Sequence, residues 1–151
     1  MTDTHTKEQR SENMRAIRSK NTTPELLIRS ALHRKGYRFR LHCSYLPGKP
    51  DIVLPRYRTA IDVRGCFWHR HPGCRKATTP STNADYWKEK FRRNVQRDRK
   101  NKASLQKMGW KTIVVWECET ADMDEMIKRL HDKLERNKLS LGLKSAGREK
   151  R

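Results

Sequence analysis

The sequence predicts an α/β fold in which a mixed central sheet lies between layers of helices. The predicted elements follow in the order α-α-β-β-β-α-β-α, and a length of 151 residues suits one domain. The most strand-like segment, at residues 110–116, has the apolar run of a strand buried on both faces at residues 113–115. We therefore expect a three-layer domain with a modest core, because hydrophobic residues make up only 34% of the chain.

The chain begins with two predicted helices. Residues 7–20 are rich in Lys, Arg and Glu, and they predict a short exposed helix whose only large apolar residues are Met14 and Ile17. A second helix starts at residues 22–25, where Thr-Thr-Pro-Glu places proline near the first turn and forms a Thr-x-x-Glu capping box. Gly36 is the expected C-terminal cap of this helix.

Three strands are predicted next. Residues 37–41 alternate as a strand would. After a Pro-Gly turn at residues 47–48, residues 51–54 and 59–63 predict two further strands that are joined near residues 55–57. This pair is expected to form a β-hairpin.

The second half of the chain predicts two more helices around the strand at residues 110–116. A long helix spans roughly residues 84–108 and is closed by Gly109, and a final helix covers about residues 123–137. The last residues carry five basic side chains and one acidic one among glycines and serines, so a mobile tail is expected there. The chain thus divides into an N-terminal helix at residues 1–20, a folded domain at 21–137 and a basic flexible tail at 138–151.

The charge balance indicates a nucleic acid partner. Lys and Arg number 36 against 17 Asp and Glu, which gives a formal net charge of +19. A membrane surface is a poorer partner, because the basic segments lack an apolar face opposite the charge. No segment approaches the ~18–20 apolar residues of a membrane span, and the polar N-terminus lacks the pattern of a secretory signal. We expect a cytoplasmic protein, or one on the nucleoid of a bacterium.

Residues 65–74 combine metal-ligand chemistry with aromatic side chains. Cys66, His71 and Cys74 supply three zinc ligands from one loop, and Cys118 is the best candidate for the fourth. Such a Cys3His site can contribute on the order of 10 kcal/mol to folding. The alternative is a pair of core cysteines with two surface histidines, and spacing alone leaves open whether His69 or His71 is the ligand.

Two further features of the sequence bear on function, namely a fourth cysteine outside the ligand set and an aromatic pair within it. Cys43 has no partner at ligand spacing and is expected to be a buried thiol. Phe67 and Trp68 lie inside the metal-ligand run, where aromatic side chains can stack on nucleic acid bases. A metal loop, an aromatic pair and a strong positive charge together indicate nucleic acid binding.

A pair of acidic residues predicts a magnesium site. Asp51 follows Pro50 at the start of one strand, and Asp62 and Arg64 share a face of the next strand, with Val63 on the other face. Two carboxylates and a strand carbonyl can hold Mg²⁺, which prefers oxygen ligands. The pattern resembles the Pro-Asp…(Asp/Glu)-x-Lys signature of restriction-endonuclease-like nucleases, with arginine where lysine is usual. The alternative is a plain ion pair between Asp62 and Arg64.

Three further residues are candidates for the catalytic site. A free imidazole at His69 could take a proton from water near neutral pH, unless it is an idle loop residue. Asp98 interrupts the apolar stripe of the long helix, which costs energy unless the carboxylate is paired or used. Residues 88–102 hold eight basic and two acidic side chains, so Asp98 could also be an ordinary ion pair on a helix that contacts phosphates. Glu25 could serve the site or only the capping box.

Together these residues resemble the very-short-patch repair (Vsr) family of DNA mismatch endonucleases. The resemblance runs from about residue 11 to residue 118, most of the chain. Its specific landmarks are Ser-Glu-Asn-Met-Arg-Ala-Ile at 11–17, Leu-Pro-Gly-Lys-Pro-Asp at 46–51, Gly-Cys-Phe-Trp-His at 65–69, Asn-Val-Gln-Arg-Asp at 94–98 and Val-Val-Trp-Glu-Cys at 114–118.

The resemblance implies a restriction-endonuclease-like core that nicks one DNA strand 5′ to the T of a T:G mismatch, a lesion that arises when 5-methylcytosine deaminates. It implies that Asp51 and the carbonyl of Val63 hold Mg²⁺, that His69 activates water, and that Glu25 and Asp98 order the water and the histidine. It also implies the structural zinc ligands Cys66, His71, Cys74 and Cys118, the base-stack wedge of Phe67, Trp68 and Trp87, and contacts to DNA from Met14 and Lys90.

The chain departs from the family pattern at three places. Residue 64 is His in the best-known members, and an arginine cannot deliver a proton, although it can help electrostatically. Asp62 replaces an apolar residue and could add a metal ligand. The loop that follows Cys66 is one residue longer.

We expect a monomer that acts on double-stranded DNA, with other repair proteins as further partners. Two alternative functions are a zinc-stabilised DNA-binding module without activity and a nuclease without mismatch specificity.

Overall fold

The computed structural model describes residues 22–145, with side chains as far as residue 141. The predicted helix at residues 7–20, and Met14 with it, therefore lie outside the described residues. The helices are α1 (Thr23–Arg34), α2 (Ala84–Lys107) and α3 (Met123–Ser145), the strands are β1 (Arg40–Leu41), β2 (Ile52–Leu54), β3 (Thr59–Arg64) and β4 (Lys111–Trp116), and short 3-10 segments occupy Pro55–Tyr57 and Glu117–Ala121.

The strands form one mixed sheet in the order β1-β2-β3-β4. The first two pairings are antiparallel, and the predicted hairpin places Ile52 opposite Ile61. The last pairing, between β3 and β4, is parallel, and a parallel pair needs a long crossover, which α2 supplies. The prediction of a mixed sheet is confirmed.

Helices cover both faces of the sheet, as predicted for a three-layer domain. On one face, Ile52 and Ile61 are fully buried against apolar residues of α1 and α3, such as Ile28 and Leu134. On the other face, Val53 and Ala60 pack with Leu105 of α2 and with Trp110. Successive residues of each strand face opposite layers, so one hairpin serves two cores. This α/β architecture is consistent with the expected restriction-endonuclease-like core.

The predicted helix caps are present at α1. The Thr22 hydroxyl accepts a hydrogen bond from the Glu25 amide at 3.4 Å. At the other end Gly36 has a φ of 94°, and the amides of Gly36 and Tyr37 bond back to the carbonyls of His33 and Leu32. A left-handed residue at this position is what glycine allows at little cost.

The structure corrects two predicted boundaries and one predicted burial pattern. The strand expected at residues 37–41 pairs only at Arg40–Leu41, because Tyr37 turns into the core and its hydroxyl lies 2.6 Å from Nδ1 of His131. In β4, Val114 is only half-buried, so the strand is not buried on both faces at residues 113–115. Helix α3 continues to Ser145 rather than ending near residue 137, so residues 138–145 are helical. Of the helices in the described range, none is both long and apolar enough to cross a membrane.

Candidate active site and cysteine–histidine cluster

A cleft of about 880 Å³ opens where the start of α1, the hairpin β2–β3, the loop at residues 65–69 and the middle of α2 meet. Its lining includes the six residues predicted from sequence to take part in catalysis, namely Glu25, Asp51, Asp62, Arg64, His69 and Asp98. These residues come from four separate segments of the chain. The fold therefore brings the predicted acidic and imidazole groups to one surface.

Asp51 lies at the start of β2, and its carboxylate is held by the neighbouring strand. Oδ2 accepts a hydrogen bond from the Val63 amide at 2.8 Å. Burial raises the pKa of Asp51 to about 7, and the nearby carboxylates of Asp62 and Glu25 add to this, while the Val63 bond opposes it. A carboxylate in this environment is stabilised by a proton or by a cation.

Glu25 and His42 form a carboxylate–imidazole pair beside Asp51. The Glu25 side chain is only 2% exposed, and its Oε2 atom lies 2.6 Å from Nε2 of His42 and accepts a bond from Arg29 at 3.2 Å. The His42 amide donates to the carbonyl of Asp51 at 3.1 Å, so β1 and β2 hold the two residues side by side. One ligand atom from each of Glu25, His42 and Asp51 lies within 4.8 Å of the others.

His42 was not predicted from the sequence as a site residue. Its signal would have been the pairing of residues 40–41 with residues 52–53, which places the next residue of β1 opposite Asp51. That register depends on the loop between the two strands and cannot be read from side-chain spacing alone.

His69 and Asp98 form the central pair of the cleft. Nδ1 of His69 lies 2.8 Å from Oδ2 of Asp98, and the Asp98 side chain is 15% exposed. The same oxygen lies 4.0 Å from Nε of Arg64, which also bonds Asp62 at 3.3 Å. The carboxylate that interrupts the apolar stripe of α2 is thus paired across the cleft rather than along its own helix.

The Asp62–Arg64 ion pair lies on the side of β3 that faces α2, as the alternation of the strand predicted. Burial raises the pKa of Asp62, and the charge of Arg64 opposes this. Asp62 and Arg64 also line a small pocket next to Asp98 and Leu105. Asp62 forms the predicted ion pair, and it also lies near enough to Asp51 for its charge to raise the pKa of that carboxylate.

Local hydrogen bonds fix the loop that carries His69. The His69 amide donates to the carbonyl of Gly65 at 3.1 Å, and the Asn94 side chain of α2 donates to the carbonyl of Trp68 at 3.1 Å. Arg70, at a φ of 56°, donates to the carbonyls of Phe67, Ala77 and Thr78. These hydrogen bonds hold the loop against α2 and brace its own backbone.

Four sulfur and nitrogen ligands converge at the far side of this loop. Atoms of Cys66, His71, Cys74 and Cys118 lie within 4.8 Å of one another. Nδ1 of His71 is 3.6 Å from the sulfur of Cys66 and 3.4 Å from that of Cys118. His69 faces the cleft instead, so the geometry favours His71 as the imidazole member of the cluster.

This cluster has the donor set that zinc prefers. Three thiols and one imidazole are a standard tetrahedral set for a structural ion. Burial raises the pKa of Cys66 to about 12, so its thiol keeps its proton unless a cation replaces it. The His71 ring stacks on Trp116 with centroids 4.3 Å apart and planes at 10°, which orients the ring toward the sulfurs.

An aromatic cluster borders the cleft beside His69. Five ring pairs among Phe67, Trp68, Trp87 and Phe91 have centroids between 5.0 and 6.0 Å apart. Phe91 is buried and carries the Arg70 guanidinium 3.9 Å from its ring centroid, whereas the other three rings stay partly exposed. Lys90 lies one turn from Trp87 on α2 and does not line the cleft.

Several cleft residues were not singled out from the sequence. Apart from His42, they are mostly polar or basic and reach the cleft from the loop before β2, from α2 and from the segment after β4. They are Ser44, Lys49, Arg97, Asn101 and Glu117. Glu117 accepts a bond from the Cys66 amide at 3.0 Å, so it links the cleft to the cysteine cluster.

The sequence of this chain is similar to those of known proteins. A family model described as DNA mismatch endonuclease Vsr matches residues 2–76. The chain is 47% identical over 135 residues to the type II nicking enzyme V.XorIIP of Xanthomonas oryzae pv. oryzae, an alignment that covers 89% of this chain and 98% of that protein.

Two further relatives are similar over most of their length. The type II nicking enzyme V.NmeAIP of Neisseria meningitidis is 48% identical over 119 residues, covering 79% of this chain and 84% of that protein. The DNA mismatch endonuclease Vsr of Escherichia coli is 44% identical over 118 residues, covering 78% and 75%.

Proposed function

Since this chain belongs to the Vsr family of DNA mismatch endonucleases, we propose that it hydrolyses one strand of duplex DNA on the 5′ side of the T in a T:G mismatch. The products would be a 3′-hydroxyl and a 5′-phosphate. The observation that carries the proposal is the shared cleft, which joins the buried carboxylate of Asp51 to the His69–Asp98 pair. Two of the relatives are named as nicking enzymes, which supports cleavage of a single strand.

A divalent cation fits the Asp51 end of the cleft. Asp51 and the carbonyl of Val63 would hold Mg²⁺, and Asp62 could add a third oxygen. When bound, the cation polarises the scissile phosphate and stabilises the leaving oxygen. The raised pKa of Asp51 supports this assignment, because the buried carboxylate gains most from a neighbouring positive charge.

His69 is proposed to remove the proton from the attacking water. An ionised Asp98 can only accept a hydrogen bond, so the proton of the neutral imidazole lies on Nδ1 and the lone pair on Nε2. Nε2 is then free to act as a base. Asp98 would orient the ring and stabilise the imidazolium that forms.

Arg64 and Glu25 are proposed to support this chemistry without transferring a proton. Arg64 stays charged, lies between Asp62 and Asp98, and can attract a phosphate at the cleft. Glu25 is buried beside Asp51 and would order water there. Its carboxylate contacts His42 and Arg29, which supports a role beyond the capping box.

Specificity is proposed to come from the aromatic cluster. Phe67, Trp68 and Trp87 would enter the base stack, which costs a few kcal/mol in normal duplex and less at a poorly stacked T:G pair. Lys90 and Met14 are proposed as further DNA contacts, and the basic residues of α2 as phosphate contacts. Residues 1–20 are proposed to contact DNA, and residues 21–137 are proposed to form the nuclease domain.

Zinc in the cysteine–histidine cluster is proposed to be structural. It would tie the loop at residues 65–74 to Cys118 after β4 and so hold His69 and the aromatic residues in place. We further propose that the protein acts as a monomer in the bacterial cytoplasm, close to the nucleoid, with other repair proteins as partners.

Strand-resolved cleavage of matched T:G and T:A duplexes in Mg²⁺ tests the proposal. We expect a nick 5′ to the mismatched T, and we expect Asp51→Ala to lose nicking while it still binds the duplex. Equal cutting of both duplexes would favour a nuclease without mismatch specificity. Tight binding without cutting by the wild type would favour a zinc-stabilised DNA-binding module.

A further inference from the structure

We propose that His42 is a direct cation ligand, and that Glu25, His42 and Asp51 form a mixed nitrogen–oxygen site that binds Mn²⁺ in preference to Mg²⁺. The inference rests on the proposed function in one respect, since it takes Asp51 as a ligand of the same cation. It adds His42 and Glu25 as ligands, so that Glu25 contacts the cation directly as well as ordering the water beside it, and it adds a metal preference.

The spacing of the three ligand atoms fits one ion. They all lie within 4.8 Å of one another, and Nε2 of His42 is 2.6 Å from Oε2 of Glu25. Ligands on one octahedral ion with bonds of ~2.1–2.2 Å are about 3 Å apart when adjacent and about 4.3 Å apart when opposite. Shifts of a few tenths of an ångström would therefore let all three atoms contact one cation.

The backbone holds the three residues in this arrangement. His42 has a φ of 46°, a left-handed conformation that few non-glycine residues adopt, and its amide bonds the Asp51 carbonyl at 3.1 Å. Glu25 lies in the first turn of α1, whose end faces the strands. Side-chain contacts restrict the rotamers as well, between Glu25 and His42 at 2.6 Å and between Asp51 and the Val63 amide at 2.8 Å, so little side-chain entropy would be lost when a cation binds.

Charge also fits a divalent cation. Two carboxylates offset a charge of +2, and a neutral imidazole adds a ligand without adding charge. Arg29 donates to the Glu25 oxygen that lies beside His42 and is 22% exposed. We expect a bound cation to weaken that contact, because the two positive charges share one carboxylate oxygen.

The imidazole is the reason for the metal preference. Mg²⁺ prefers oxygen ligands and releases its water reluctantly, whereas transition metals accept imidazole nitrogen readily. Mn²⁺ also keeps the affinity for carboxylates that Mg²⁺ has. A site with one nitrogen and two carboxylate oxygens should therefore favour Mn²⁺.

The test is a titration of Mn²⁺ into the full-length, zinc-loaded protein without DNA, followed by electron paramagnetic resonance, with Mg²⁺ as the competitor. We expect wild type to bind Mn²⁺ more tightly than Mg²⁺, and His42→Gln to weaken Mn²⁺ binding roughly tenfold or more while Mg²⁺ binding changes little. Asp51→Asn should lose both ions. His33→Gln, an exposed histidine of α1, is the matched control and should behave as wild type.

A second variant separates ligand chemistry from folding. His42→Asp replaces the nitrogen by oxygen and should reverse the preference toward Mg²⁺. Circular dichroism melting of each variant checks that the fold is retained. An unchanged Mn²⁺ affinity in folded His42→Gln, or an unchanged Mn²⁺ to Mg²⁺ ratio in His42→Asp, would overturn the inference.

The outcome is distinguishable from failure of the proposed function. The titration contains no DNA, so a protein that binds Mn²⁺ through His42 but cuts no mismatch would refute only the nuclease proposal. A protein that nicks T:G duplexes with the same metal preference in wild type and His42→Gln would refute only this inference.

Discussion

The Nδ1 atom of His69 lies 2.8 Å from Oδ2 of Asp98, although the two residues are 29 positions apart in the chain. The imidazole comes from the loop after β3, and the carboxylate comes from the middle of α2. Asn94, one turn before Asp98, bonds the carbonyl of Trp68 and so holds that loop on the helix. The pair therefore depends on how α2 crosses the end of the sheet.

Asp98→Asn should slow nicking of a T:G duplex by ~10²–10⁴-fold, because an amide can donate to Nδ1 and so favour the tautomer that protonates Nε2. Single-turnover nicking at saturating protein measures the chemical step. Duplex affinity should change little, since the substitution leaves the aromatic cluster intact. Asp85→Asn, an exposed carboxylate at the start of α2, is the control and should nick at the wild-type rate. Equal rates in both variants would contradict a role for Asp98.

Asp51→Asn should abolish nicking and yet stabilise the metal-free fold above neutral pH. Because burial raises the pKa of Asp51 from 3.8 to about 7, the folded state holds a proton that the unfolded state has released between these values. The Asp51 contribution to stability is therefore full below the unfolded pKa and is lost as pH rises through the folded pKa.

The measurement is urea unfolding of both proteins at pH 5 and pH 8 in buffer without free divalent cations. We expect the free energy of unfolding of the variant, relative to that of wild type, to increase by on the order of 1–3 kcal/mol from pH 5 to pH 8. An asparagine oxygen can still accept the Val63 amide bond, so the local structure should survive. A difference between the proteins that is the same at both pH values would contradict the raised pKa.

Cys118→Ser should lower both the zinc content and the melting temperature. The residue lies after β4 and provides the ligand farthest in sequence from the other three, so its loss frees the loop from the sheet. A structural zinc can contribute on the order of 10 kcal/mol, and part of this would be lost. Metal analysis and thermal melting measure the two effects. Cys43 lies in the core between the sheet and α2, outside the cysteine–histidine cluster, so the control Cys43→Ala should keep one zinc per chain. A full zinc complement in Cys118→Ser would refute the assignment.

Trp68→Ala should reduce discrimination between T:G and T:A duplexes. Stacking of an aromatic side chain on a base is worth about 1–3 kcal/mol, so the ratio of nicking rates should fall by roughly 5- to 150-fold. Parallel single-turnover assays on the two duplexes measure this ratio. The control is Tyr45→Ala, an aromatic residue that is 61% exposed and outside the aromatic cluster. A ratio that stays at the wild-type value in Trp68→Ala would exclude the wedge role.

Local signals in the sequence were sufficient for most of the secondary structure. The Thr22 cap and Gly36 bound α1, because capping involves residues only a few positions apart. The turn between residues 54 and 59 set the hairpin, since short connections force antiparallel pairing. The errors lie at residues 37–41, 113–115 and 138–145. At residues 37–41 a tertiary contact decides the boundary, because Tyr37 bonds His131 and Glu135 of α3 instead of continuing a strand.

The chain by itself determined the chemistry that is available at the site: which residues carry carboxylates, imidazoles, thiols and aromatic rings, and which of them share a loop or a strand face. Only the tertiary structure decided which of these groups meet. His42 reaches Glu25 and Asp51 through the register of β1 on β2, and His69 reaches Asp98 through the packing of α2. The physical reason is that side-chain periodicity is a local property of the backbone, whereas the register and crossing of elements depend on burying the two cores at once.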